Sequence, residues 1–166
     1  MKQYSIDSLV DNLEWPRSYP WEAFITVRVC DCRISFFEVQ KLVIRDVLRP
    51  AALYLHDQVA AFIVVVPGDV PGLPTQESPA HTHAHALLLT KSRGLADLGK
   101  QADLQAYLLN RKTPLLTHKR AIDIRPSVPE RHPAYIIGPK NAGAEGATIG
   151  YYNSKLLQNY HKERTT

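Results

Sequence analysis

Ala80-His81-Thr82-His83-Ala84-His85-Ala86-Leu87-Leu88-Leu89-Thr90 is the stretch on which the fold turns. In an extended strand alternate side chains share a face, so His81, His83 and His85 point one way. Ala84, Ala86, Leu87, Leu88 and Leu89 are apolar on both faces, which places this strand inside a core. An imidazole pair buried there is costly unless its ring nitrogens are satisfied, and a divalent cation satisfies them.

Working outward, Val59 to Val66 is an uninterrupted apolar run that reads as a second buried strand, ending at Pro67-Gly68. Pro67 to Pro79 holds four prolines and two glycines and reads as a loop that hands the chain to the histidine strand. Upstream, Glu22 to Val29 predicts a strand with Thr26 and Arg28 on the face opposite Ile25 and Val27. Ser35-x-x-Glu38 is a capping box ahead of Phe36, Val39, Val43 and Val47, an apolar helix stripe that Pro50 ends, with Ala51 to Leu55 prolonging or kinking it. Downstream, Ala96 to Lys112 predicts a helix, and Ala121 to Arg125 and Ala134 to Ile137 predict short strands. Ile149, Tyr152, Leu156 and Tyr160 recur at helical spacing and predict a terminal helix over Thr148 to Lys162. Residues 1–20, with Pro16 and Pro20, read as an irregular lead-in containing a short helix near Ile6 to Leu13, and residues 21–166 as the domain proper. Irregular ordering of strands and helices predicts a single α+β domain with a mostly antiparallel sheet of about five strands flanked by helices.

At 166 residues, 45% hydrophobic and 22% charged, the chain has the composition of one globular domain rather than of a disordered segment. The longest apolar run is too short to span a bilayer and the N-terminus lacks the pattern of a signal peptide, so a cytoplasmic protein without membrane partners is expected. Cys30 and Cys32 are poorly spaced for a mutual disulfide and too few for a structural zinc site. The net charge of +4 permits a polyanionic partner without identifying one.

Three motifs, in this order, resemble those of the HUH endonucleases, the superfamily of rolling-circle replication initiators, relaxases and single-strand transposases. They are Phe24-Ile25-Thr26 on the first strand, His83-Ala84-His85-Ala86-Leu87-Leu88, and Tyr152-Asn153-Ser154-Lys155. By element order the likeness covers about three quarters of the chain, the histidine pair being its most specific part. The resemblance implies an HUH/RRM-like palm and metal-dependent, site-specific nicking and rejoining of single-stranded DNA through a 5′-phosphotyrosine intermediate. It implies Mn²⁺ or Mg²⁺ on His83 and His85, a single-stranded or hairpin origin of a plasmid or virus as substrate, and a host helicase or replication machinery as partner. In such chemistry the cation neutralises charge on the phosphate, while a phenol of pKa ~10 is activated by the metal and a nearby ammonium such as Lys155.

The remaining shell of the metal is open between Asp69, Glu77 and His81, because Val66-Pro67-Gly68-Asp69 replaces the acidic residue that the family carries at the end of the preceding strand. Tyr152 leads the candidate nucleophiles and also reads as a core tyrosine on its stripe. Tyr151, four residues from Lys155, comes second, and Tyr135, followed by the helix-breaking Gly138-Pro139, comes third. Thr26, Arg28, Arg111, Lys112, Lys119 and Arg120 are candidate nucleic-acid contacts, although Thr is also simply a good strand former and such cations are ordinarily solvated surface. Two other classes compete. A cupin-like metalloenzyme wants a carboxylate three or four residues past the second histidine, where Leu88 and Leu89 stand. A non-catalytic origin-binding module would keep the histidines as structural residues.

Overall fold

Strand His83–Thr90 (β3) is apolar on both faces, so it needs a neighbour along each edge and a cover on each side. It has both. The computed structural model describes residues 15–29, 34–66, 82–114, 116, 119–138, 141–142 and 147–165. In it Ala23–Arg28 (β1) and Val59–Val66 (β2) flank β3, Ile122–Pro126 (β4) pairs with β1, and Thr148–Tyr152 (β5) pairs with β2. The order is β4-β1-β3-β2-β5 and every pairing is antiparallel. The chain is thus an α+β protein whose five-stranded sheet is flanked by helices, as expected.

Alternation along each strand gives the sheet two buried faces. One face carries Ile25, Val27, Ala61, Ile63, Val65, Ala86, Leu88 and Ile124. Against it lies one long helical run: Phe36–Leu42 (α1), a π-helical segment Val43–Leu48, and Arg49–Leu55 (α2). Leu98–Asn110 (α3) packs beside that run through Leu104 and Leu108. The capping box forms as predicted, with the Ser35 hydroxyl accepting from the Glu38 N–H and the Glu38 carboxylate accepting from the Ser35 N–H. Pro50 does not end the helix. The π segment before it lets the Arg49 N–H reach back five residues to the Ile44 carbonyl, and the widened turn accommodates a residue that lacks an N–H.

The other face carries Phe24, Phe62, Val64, Leu87 and Leu89. Its covers are Arg131–Ile137 (α4), through Ile136, and Ser154–Thr165 (α5), through Leu156 and Leu157. Residues of the lead-in also pack there: Tyr19 stacks on Trp21 with ring centroids 5.5 Å apart, and its hydroxyl donates to the Leu157 carbonyl at 2.9 Å. The short helix expected near Ile6 to Leu13 lies outside the described residues.

Two further expectations fail, both near the end of the chain. Ala134 to Ile137 is not a strand but the second half of α4. Pro133 sits in the first turn of that helix, where its missing N–H costs nothing, and the buried pair Pro133 and Ile136 shows helical spacing that a four-residue window could not reveal. Thr148 to Lys162 is not one helix: Thr148–Tyr152 is a strand, and α5 begins only at Ser154. Between them Asn153 takes φ 54°, its side-chain oxygen accepts from the Leu156 N–H, and its amide donates to the Val59 carbonyl. A β-branched and aromatic segment beside the open edge of β2 favours pairing over helix.

Gly150 leaves room for a side chain of α1 behind that pairing. A Cβ built on it would lie 1.5 Å from Nε2 of Gln40, a buried residue of α1. We expect Gly150→Ala to cost about 1–3 kcal/mol in urea denaturation, and the added Gln40→Ala change to recover part of it. Equal loss in the single and double variants would refute the clash.

Candidate functional site

β3 begins at His83, and its odd-numbered residues face α4 and α5. His83 and His85 therefore do share a face: their ring centroids are 4.9 Å apart at 79°. His83 is half-buried and His85 is 4% exposed. The His85 ring is clamped between neighbours on the adjoining elements. Phe24 of β1 stacks on it at 5.3 Å and 21°, and Tyr135 of α4 stands edge-on at 5.3 Å and 73°. Phe24 is in turn stacked on His132 of α4 at 4.6 Å, while His132 Nδ1 accepts from the Val128 N–H.

The two nitrogens of His85 have different surroundings. Nδ1 shares a 3.1 Å hydrogen bond with Oγ1 of Thr26, its Cα partner across β1 and β3. Nε2 is buried and has no hydrogen-bond partner among the described residues. A neutral imidazole with one orphaned nitrogen beside a second imidazole is a donor set that fits a divalent cation. Among the described residues no group of three or more His, Cys, Asp or Glu side chains gathers around a common point. Asp69, Glu77 and His81 lie outside the described residues.

Burial, and then His83 and Arg28 beside it, push the His85 pKa down from 6.5 to about 3. Burial, with Arg131 and Arg125, lowers that of His132 in the same direction. Between pH 6.5 and about 3 the unfolded chain binds a proton at His85 that the folded chain refuses. Folding stability is therefore full above the upper limit and falls as pH drops below it, with a slope approaching about 1.4 kcal/mol per pH unit from this ring. Urea titrations across that window in chelator should show the slope, and a His85→Asn variant should lack this part of it.

The tyrosines separate by face. Tyr135 is 49% exposed and touches both His85 and Phe24 from α4. Tyr151 of β5 lies on the histidine face, but its ring packs on Phe62 at 5.6 Å. Tyr152, one residue on, turns to the opposite face and packs against the core beneath α1 to α3. Tyr152 and Lys155 are thus not neighbours on one helix: the tyrosine ends a strand, and Lys155 is an exposed residue of α5. The spacing was legible, but the side of the sheet depends on where the strand stops.

The candidate phosphate contacts divide likewise. Thr26 is buried and engaged with His85, not displayed on the surface. Arg28 is exposed and lies across from His83, and its guanidinium donates to the Arg120 carbonyl at 3.0 Å. Arg28, Lys119 and Arg120 therefore cluster at the His83 end of the sheet. Arg111 follows α3 on the other face, 5.9 Å from the Tyr107 ring centroid, with Lys112 next to it. Sequence reading passed over His132 and gave Phe24 no role beyond opening the first motif, since their link to the histidine pair runs through stacking across three elements. Comparison with protein-family models, with curated proteins and with solved structures finds no match to this chain. None of the described helices is long and apolar enough to cross a membrane.

Proposed function

We propose that the chain is a metal-dependent nickase and ligase for single-stranded DNA, of the HUH kind that initiates rolling-circle replication, with Tyr135 as its nucleophile. The observation that carries this reading is the Tyr135 ring edge-on to His85, on the face where His83 and His85 converge. His83 and His85 would hold the cation, Mn²⁺ or Mg²⁺, which when bound supplies charge neutralisation at the non-bridging oxygens of the scissile phosphate. Tyr135 Oη loses its proton and attacks phosphorus in line. The new bond is Tyr Oη–P, the bond broken is P–O3′, and the departing oxygen takes up a proton to become a 3′-hydroxyl. The phosphotyrosine ester retains the energy of the original diester, so attack by a 3′-hydroxyl reseals the strand without a nucleotide cofactor. The half-exposed position of Tyr135 suits access by a flexible strand, and Arg28, Lys119 and Arg120 suit its phosphates. A plasmid or viral origin, a host helicase and a cytoplasmic setting belong to the same reading.

The test is incubation with labelled single-stranded and hairpin oligonucleotides in Mn²⁺, followed by denaturing electrophoresis. A denaturation-resistant adduct that chelator abolishes is the expected result. DNA binding without any adduct would overturn the nickase reading in favour of a binding module.

A further inference from the structure

Thr26 and His85 form a buried, hydrogen-bonded side-chain pair that joins the first motif strand to the histidine strand. A neutral imidazole has one proton for two nitrogens. A hydroxyl can accept from Nδ1–H or donate to a bare Nδ1, so the Thr26 contact alone permits either tautomer. The far nitrogen decides between them. If Nε2 carried the proton, a buried N–H would stand without an acceptor, and orphaned buried donors are among the rarest groups in folded proteins. With the proton on Nδ1, donated to Thr26 Oγ1, Nε2 presents a bare lone pair. Phe24 stacked at 5.3 Å holds the ring plane in which that hydrogen bond lies.

We propose that Thr26 is a positioning residue, which holds His85 in the Nδ1–H tautomer and so keeps its Nε2 lone pair free for a cation. The tautomer is a property of the protein alone, whereas its use for the cation rests on the metal reading above. The first motif position then acts on the metal site from behind, and contributes no phosphate contact.

The experiment is long-range ¹H–¹⁵N correlation of the His85 ring at neutral pH in chelator, paired with Mn²⁺ titration by electron paramagnetic resonance. In the wild type Nδ1 should be the protonated nitrogen. Thr26→Val, which keeps the β-branched shape of the strand residue, should lose that preference and bind Mn²⁺ about 10–100-fold more weakly. Thr26→Ser should restore both, and it serves as the folding control, since a merely structural role would leave the tautomer unmoved. A protonated Nε2 in the wild type, or an unchanged tautomer in Thr26→Val, overturns the proposal. An Nδ1–H wild type that takes up no Mn²⁺ supports the tautomer assignment and overturns the metal reading.

Discussion

Tyr135→Phe is expected to reduce the covalent protein–DNA adduct by at least ~10³-fold, because removing a nucleophile's attacking atom removes the step itself. Tyr152→Phe and Tyr151→Phe should each leave the adduct within a few-fold of wild type. The contrast follows from which sheet face each ring occupies. Residues one apart on β5 point to opposite sides, so Tyr152 is directed into the core beneath α1 to α3 and Tyr151 onto Phe62. Tyr135, carried by α4, meets His85 with an edge-on ring. The Phe variant keeps the ring that packs on Phe24 and His85, so stability should change little and the adduct assay reads chemistry. An adduct that persists in Tyr135→Phe and disappears in Tyr151→Phe would move the nucleophile to β5.

The second large effect is on folding. Glu22 is 4% exposed at the entrance to β1, and its carboxylate gathers donors from the far end of β3 and the turn after it. Oε2 accepts from the Thr90 N–H and, at 3.0 Å, from the Thr90 hydroxyl. Oε1 accepts from the N–H groups of Leu95 at 2.9 Å and Ala96 at 3.1 Å. The Arg93 guanidinium stands 3.8 Å away and also donates to the Pro20 carbonyl. An ionised carboxylate is the one side chain that offers acceptors in every direction these donors require. Glu22→Gln puts an NH₂ where an N–H already points, leaving a buried donor unpaired, and we expect a loss of about 2–4 kcal/mol in urea denaturation. Glu22→Ala should cost at least as much. A change below about 0.5 kcal/mol in Glu22→Gln would show that water replaces the carboxylate.

Much of the sheet was legible because its signals are local. An eight-residue apolar run, a strand with opposite faces of Thr/Arg and Ile/Val, and a capping box each declare their structure within one or two turns of chain. The failures come where a local pattern served two periods at once. Ile149, Tyr152 and Leu156 fit a helix stripe, yet Asn153 in a left-handed conformation divides them between a strand and a helix. Ala134 to Ile137 was too short for its period to show. His132 and Glu22 carried no signal at all, since a stacking partner or a set of converging donors is visible only once distant segments meet.

The amino-acid sequence by itself determined that His83 and His85 would share one face of a core strand, because a two-residue spacing in extended chain leaves no alternative. It likewise determined an α+β chain with an antiparallel sheet, through the order and periodicity of its apolar residues. Tertiary structure alone decided which tyrosine stands beside those histidines and which nitrogen of His85 is left without a partner. Both depend on how β1, β3 and α4 pack. That packing is fixed by burial summed over the whole sheet, a quantity no single stretch of the chain contains.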